Sequence, residues 1–374
     1  MGVKVITLSE QESYWSAIRE ASAVLEDGGV VVFPTETVYG IGARADRPRA
    51  MTKLRQAKGR EGAKPFTVHI ARRRDAERYV PVMNRLARRF ARKGWPGPLT
   101  MILAVPDPRS AAVAAEYDDD TLAAIYNENA IGLRCPDDAI ARDLLAEAKG
   151  PVVAASANLA GHSPPRTINE ALKGLSEFVD VALDGGAAVY SRASTIVRVG
   201  ENDFEVVREG VIDERMLKEF ATVNLLFVCS GNTCRSPIAT GLARRIVAER
   251  LDCDPERLED RDVRIASAGV FAAAGLPAAE NAKEVLARRG IDISRHRSQP
   301  LTVELVNRAD YVFVMTPVHR AEVAALVPSA ADRIIVLGDD EEIADPIGKD
   351  LEAYERSAQT IERVLERRLT EIEL

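Results

Sequence analysis

Leu225-Leu226-Phe227-Val228-Cys229-Ser230-Gly231-Asn232-Thr233-Cys234-Arg235-Ser236-Pro237 decides the reading of the C-terminal part of the chain. The first four residues are continuously apolar, as in a strand buried on both faces of a parallel sheet. The last ones open a helix. Pro237 is expected at its first position, and Ile238, Leu242 and Ile246 follow at four-residue spacing. Where a strand runs into a helix through a short loop, free backbone N–H groups point outward and the helix dipole favours an anion. The loop therefore reads as a phosphate cradle. Gly231 is expected to permit its tight curvature, and Arg235 to close it with a planar fork for two phosphoryl oxygens. Cys229 stands at the base. The positive field there favours a thiolate, a nucleophile able to form a phosphocysteine that water then hydrolyses. Cys229 and Cys234 could instead be inert buried thiols. The C-x5-R spacing followed by Ser and Pro, between a strand and a helix, is too specific for that.

Downstream the pattern alternates. Val263–Ala268 reads as a strand, Ala278–Arg289 as a helix capped by Gly290, Tyr311–Met315 and Arg333–Leu337 as strands, and Leu351–Glu373 as a long final helix. This βαβ alternation predicts a small doubly wound parallel sheet with helices on both faces. Upstream the chain is also mixed α/β, with strands near Val30–Phe33, Phe66–Ile70, Thr100–Val105, Ala130–Arg134 and Thr195–Val199. A last strand, Phe204–Val207, ends at Arg208-Glu-Gly210. Tyr117–Asp120 reads as a short acidic loop, an exposed insertion. Asp213–Phe220 reads as a short amphipathic linker helix. The expected organisation is thus a domain over 1–213, a linker over 214–222 and a second domain over 223–374.

Composition is ordinary for a soluble globular chain: 374 residues, 46% hydrophobic and 29% charged. No apolar run reaches the length of a membrane span, and Met1-Gly-Val-Lys-Val lacks the layout of a signal peptide, so a cytoplasmic location and no membrane partner are expected. Four cysteines make neither a disulfide framework nor a CxxC zinc pattern, and no metal site is expected. The net charge of −7 does not fit a chain devoted to nucleic acid, yet Met51–Lys93 carries fourteen Lys/Arg against three acids. That run is either a solvated helical face or a surface for phosphates or RNA.

The loop, with Ser267-Ala-Gly269 and Asp345-Pro346, resembles the low-molecular-weight protein tyrosine phosphatases over about residues 223–374. The resemblance implies Cys229 as nucleophile, Arg235 as phosphoryl clamp and Asp345 as the acid that protonates the leaving group, without a cofactor. It implies that Asn232 and Ser236 brace the loop and hydrogen-bond the thiolate, with Ser230, Gly231, Thr233 and Cys234 completing the cradle. His296 and Asp310 fall in resembling segments and read as structural. Thr233 stands where the tyrosine phosphatases carry Ile or Val and the protein arginine phosphatase branch carries Thr; Val270-Phe271 and Asp345-Pro-Ile347 resemble that branch as well. Phosphoarginine in a protein is therefore the expected substrate, with phosphotyrosine the alternative. A guanidine is a far more basic leaving group than a phenolate, which makes Asp345 matter more. An arsenate reductase would need further cysteines, and only Cys253 remains, flanked by Asp252 and Asp254. Cys234 could pair reversibly with Cys229, so a non-catalytic phosphate or redox sensor is another alternative.

In the first half, Lys58-Gly-Arg60, Ala155-Ser-Ala-Asn158 and Arg208-Glu-Gly210 are each weak signals, compatible with surface charges and turns, and no Walker motif is present. In order with Pro34-Thr-Glu-Thr-Val-Tyr-Gly40, Trp95-Pro-Gly-Pro-Leu-Thr100, Gly132-Leu-Arg-Cys-Pro136 and Ser194-Thr195, they resemble the YrdC/Sua5 family over about residues 8–212. That family makes threonylcarbamoyl-AMP from L-threonine, bicarbonate and ATP for the t6A modification of tRNA. The resemblance implies a YrdC-like twisted mixed sheet. It implies ATP held by Lys58, Arg60, Ser156, Asn158 and Arg208, with Mg²⁺, and threonine held by Thr35, His69, Arg134 and Ser194. Catalysis would be positioning and charge neutralisation, with no protein nucleophile. The basic run would be free to meet tRNA or a threonylcarbamoyl transferase complex. A non-catalytic RNA-binding module is the alternative for this half. The extra C-terminal domain of the longer Sua5 enzymes has no counterpart here; the phosphatase-like segment stands in its place.

Overall fold

Leucines, valines and Phe227 on Val223–Cys229 bury both faces of one strand, which fixes the second half of the molecule. The computed structural model describes residues 2–8, 11–59, 65–338 and 341–372. The chain divides into two compact units, Met1–Ala221 and Thr222–Leu374.

In the first unit the strands are β1 (Lys4–Thr7), β2 (Val31–Phe33), β3 (Gly40–Arg44), β4 (Thr67–His69), β5 (Leu99–Ala104), β6 (Tyr126–Asn127), β7 (Ala130–Arg134), β8 (Val152–Ser156), β9 (Val181–Asp184), β10 (Thr195–Val199) and β11 (Phe204–Arg208). Among the described residues they form one mixed sheet in the order β1-β9-β2-β3-β8-β4-β7-β5-β10-β11, with β6 paired to β7. Antiparallel pairs such as β3/β8 and β5/β7 alternate with parallel ones such as β4/β7 and β5/β10. One face packs on helices Pro48–Ala57 and Arg85–Gly94 through Met51, Leu54 and Phe90. The other packs on Gln11–Glu26 and Ala139–Glu147 through Ile18, Leu25 and Leu144. β2 supplies both cores, Val32 to the first and Val31 with Phe33 to the second, as the period of two requires.

Two expectations change here. Helix Glu214–Ala221, read as a linker, buries Leu217 and Ala221 in the first unit's core, because its amphipathic face finds an apolar partner there. The acidic run is not a loop. Asp118 accepts a hydrogen bond from Thr121 N as the N-cap of helix Asp119–Ile125, and Asp119 and Asp120 fill its first turn. Carboxylates are favoured at that end of a helix.

The second unit holds β12 (Val223–Cys229), β13 (Val263–Gly269), β14 (Tyr311–Val314) and β15 (Ile334–Val336), all parallel in the order β13-β12-β14-β15. Leu225 and Phe227 of β12 pack with Ile238, Leu242, Ile361 and Leu365 of helices Arg235–Arg250 and Leu351–Thr370. Leu226 and Val228 pack with Val306 and Val323 on the opposite face. Each such side chain, fully buried, contributes about 1.5–3 kcal/mol of transfer free energy. The sheet is thus covered on both sides, and Cys229 ends its interior strand at the head of helix Arg235–Arg250. That helix starts two residues before Pro237, with Cys234 at the N-cap. Proline is tolerated anywhere in a first turn, where the N–H has no partner to lose.

Candidate active sites

The loop between β12 and helix Arg235–Arg250 curls around the Cys229 thiol. Asn232 N donates to Cys229 Sγ at 3.3 Å, and Ser236 Oγ lies 2.9 Å from the same sulfur. Asn232 is wholly buried and acts as the hub. Its Nδ2 donates to Ser236 Oγ and Ser267 Oγ, each at 2.9 Å, its Oδ1 accepts from Gln299 N at 2.9 Å, and its carbonyl lies 2.7 Å from His296 Nε2. The sharp turn is also at Asn232, with φ +54°, and not at Gly231, which has no positive φ. Asparagine tolerates the left-handed region, and here four partners hold it there. The glycine that the cradle needs is Gly269. A Cβ there would sit 2.5 Å from Ser230 O and 2.8 Å from Asn232 N, so the Ser267-Ala-Gly269 signature reads as clearance for the loop.

Arg235 is buried and donates through Nη2 to Ser230 Oγ at 3.4 Å and to the Asp345 carboxylate, which is partly open to solvent. Asp345 Oδ1 accepts from Ile347 N at 3.1 Å. Thr233 is half-buried beside Cys234, its Oγ1 3.6 Å from the Cys234 sulfur. Cys234 Sγ lies 3.1 Å from Tyr354 Oη, and burial first, then that bond, raises the phenol's pKa. Sequence reading missed Tyr354 and also His319. The imidazole of His319 lies 2.9 Å from Ser230 Oγ through Nε2 and 2.8 Å from Thr316 Oγ1 through Nδ1. Neither carries a motif; only the fold brings residue 319 to residue 230. Asp310 accepts from Asn224 N at 2.8 Å at the far end of β12, a structural placement.

The first unit encloses a cavity of about 340 Å³ at the centre of its sheet. Thr35, His69, Arg134, Ser156, Ser194 and Arg208 all line it. Arg134, on β7, donates through Nη2 to Glu36 Oε1 at 2.9 Å and Thr37 Oγ1 at 2.7 Å, and more weakly to Thr35 Oγ1 at 3.4 Å. Its Nε is buried and, among the described residues, has no hydrogen-bond partner. His69, at the end of β4, bonds Thr67 O through Nδ1 at 3.0 Å, and burial first, then Arg134, pushes its pKa down to about 3. The ring is therefore a neutral polar wall. Ser194 pairs with Thr100 Oγ1 at 3.0 Å, and Arg208 Nη2 donates to Ser194 O at 2.7 Å. Gly210 permits that arrangement: its Cβ would fall 2.3 Å from Ala193 O.

Lys58 and Asn158 do not line the cavity. Lys58 Nζ instead donates to Ser156 O at 2.7 Å and to Asn158 O, fastening the Ser156-Ala-Asn158 turn. Arg60 lies outside the described residues. Glu36, Thr37 and Thr100 join the site unforeseen; Glu36 and Thr37 sit inside the Pro34–Gly40 motif, whose spacing was the available signal.

Residues 23–210 match the family model Sua5_yciO_yrdC, described as telomere recombination, and residues 224–373 match low molecular weight phosphotyrosine protein phosphatase. The chain is similar to a putative threonylcarbamoyl-AMP synthase of Methanocaldococcus jannaschii, 32% identical over 56% of this chain and 93% of the relative. It is also similar to a protein-arginine-phosphatase of Geobacillus stearothermophilus, 37% identical over 38% of this chain and 91% of the relative. A probable low molecular weight protein-tyrosine-phosphatase, EpsP, of Ralstonia nicotianae is 40% identical over 37% and 88%. The chain belongs to the Sua5/YrdC family through its first unit and to the low-molecular-weight phosphatase family through its second. It is a two-enzyme chain, joining a threonylcarbamoyl-AMP synthase domain to a cysteine-dependent protein phosphatase domain.

Proposed function

We propose that the second unit removes phosphate from phosphoarginine in proteins, with roles assigned as follows. Cys229 Sγ attacks phosphorus, the P–N bond breaks, and Asp345 gives its proton to the departing guanidine nitrogen. Water then attacks the phosphocysteine, Asp345 takes the water's proton, and phosphate leaves with the thiolate restored. Arg235 and the loop N–H groups hold the phosphoryl oxygens. Ser236 Oγ, 2.9 Å from the sulfur, steadies the thiolate when it leaves. The observation that carries the substrate assignment is the Thr233 hydroxyl in the cradle, a polar group suited to a guanidinium and unsuited to a phenyl ring. The 37% relative named as an arginine phosphatase supports it; the 40% relative named as a tyrosine phosphatase supports the alternative. Phosphate release from a phosphoarginine protein and a phosphotyrosine peptide, for wild type and Thr233→Ile, decides between them. We expect a preference for phosphoarginine that the variant loses. A phosphotyrosine preference in both would keep Cys229 and discard the substrate.

For the first unit we propose that L-threonine, bicarbonate and ATP meet in the central cavity. The buried Arg134 Nε, without a partner among the described residues, is the observation that carries this, since a threonine carboxylate supplies the acceptor it lacks. Ser194 and His69 face the remaining polar atoms of the amino acid. The Ser156–Asn158 turn, with Lys58, takes the nucleotide, so that a threonine carbamate lies against the α-phosphate and pyrophosphate leaves. Among the described residues no group of three His, Cys, Asp or Glu converges to hold a metal. Mg²⁺ would arrive chelated by the triphosphate, screening its charge. The nucleotide product would serve t6A formation in tRNA through a transferase. Threonine-dependent release of pyrophosphate from ATP tests the assignment, and ATP turnover indifferent to threonine would end it. No helix among the described residues is long and apolar enough to cross a membrane.

A further inference from the structure

Ser230 follows the nucleophile directly, and its hydroxyl is engaged by two groups at once. Arg235 Nη2, which can only donate, lies 3.4 Å away, and His319 Nε2 lies 2.9 Å away. A hydroxyl has one proton to give and two lone pairs to receive with. Which way the His319 bond runs therefore decides whether Ser230 has a proton left for anything else. The other side of the ring offers a donor that would set the direction. Thr316 caps helix Pro317–Leu326, and its Oγ1 accepts from His319 N at 3.4 Å. Its own proton is free for His319 Nδ1, 2.8 Å away. With Nδ1 accepting, a neutral imidazole carries its hydrogen on Nε2 and donates it to Ser230. Neutrality fits the surroundings: His319 is buried, and burial first, then the Arg235 guanidinium, pushes its pKa down to about 4. Ser230 then accepts from both His319 and Arg235.

We infer that His319 is a positioning residue of the phosphatase site: the Thr316–His319 pair turns the Ser230 hydroxyl so that its single proton faces the phosphoryl group gripped by Arg235. This deepens, and rests on, the proposed phosphatase role of the cradle. The relay ties anion binding to the start of a helix outside the loop, so the loop does not act alone.

The test uses the full chain and inorganic phosphate as the probe, with affinity read directly by calorimetry and turnover read separately with an aryl phosphate. Ser230→Ala and His319→Leu should each weaken phosphate binding by about tenfold, the scale of one hydrogen bond to a charged group. The double variant should be no weaker than the poorer single one, since both remove the same hydrogen bond to the anion. His319→Gln, whose amide can donate where Nε2 does, should recover most of the affinity. A purely structural histidine would lower the melting temperature and leave phosphate affinity unchanged; that result, or losses that multiply in the double variant, would overturn the relay. If His319→Leu does not fold, a His319→Gln protein binding phosphate no better than Ser230→Ala would overturn it as well. A wild type that binds phosphate without hydrolysing the ester would sink the phosphatase reading alone, and the affinity pattern would still judge the relay.

Discussion

The cradle and the cavity gather charge around phosphate-bearing substrates in opposite ways. In the second unit one loop between a strand and a helix, Cys229 to Ser236, carries the proposed nucleophile, its hydrogen-bond partner and the proposed phosphoryl clamp. In the first, the lining side chains come from Thr35 to Arg208 and meet because β3, β8, β4, β7, β5 and β10 lie side by side. A loop preorganised by its own backbone concentrates chemistry on a few atoms. A sheet-built cavity spreads binding over many polar contacts. Single substitutions should therefore be all-or-none in the cradle and graded in the cavity.

The largest expected effect follows from the nucleophile. Cys229→Ser should lower dephosphorylation roughly 10⁴-fold or more while threonylcarbamoyl-AMP synthesis continues at the wild-type rate. Lys58→Ala should do the reverse, since its amine fastens the Ser156–Asn158 turn. Both rates should be measured on each folded variant. Loss of both activities from either change would mean that the two sites do not work as separate modules.

Asp345→Asn comes next, slowing the first chemical step by ~10²–10⁴-fold. The loss should be greater with phosphoarginine than with an aryl phosphate, because the guanidine leaves poorly without a proton. Burst kinetics on the two substrates would show it, and equal losses on both would remove Asp345 from the acid's role.

The same contrast governs how much could be read from the sequence. A motif of eight consecutive residues carries its own geometry, so Cys229, Arg235 and the alternation of strands and helices after them were legible from apolar runs and spacing. What escaped there was what lies across the fold: His319 and Tyr354 reach the loop from distant helices. The turn itself was misplaced by one residue. A glycine is the obvious candidate for a tight turn, but Asn232 has the partners that stabilise a left-handed backbone. In the first unit the single motifs K-x-R and S-x-N were weak alone, and only their order in the chain pointed to a shared site. The buried ion pair Arg134–Glu36 was invisible, since a lone glutamate in a motif does not announce its partner.

That ion pair sets up a graded prediction for the cavity. Arg134 divides its fork between Glu36 with Thr37 on one side and, on the other, an Nε with no partner among the described residues. Arg134→Lys keeps the charge and one contact but loses the planar fork. The KM for threonine should rise roughly 10- to 100-fold, the worth of a hydrogen bond between charged groups, with a smaller change for ATP. Equal effects on both substrates would place Arg134 in support of the whole sheet rather than at the amino acid.

The smallest effect concerns stability, and it sets His69 of the cavity beside His319 of the cradle, each buried near an arginine. His69 has its pKa pushed down to about 3, against about 6.5 in the unfolded chain. Between those values the unfolded state binds more protons, so this contribution is fully present above pH 6.5 and drains away as pH falls toward 3. From pH 6.5 to 5 the first unit should lose about 1.5 kcal/mol through this group. Both tryptophans, Trp15 and Trp95, lie in the first unit, so urea titrations followed by tryptophan fluorescence report on it selectively. His69→Gln, which cannot titrate, should flatten the dependence over that range. Parallel curves for wild type and variant would mean that the ring is not held neutral, and the cavity would lose its uncharged polar wall beside Arg134.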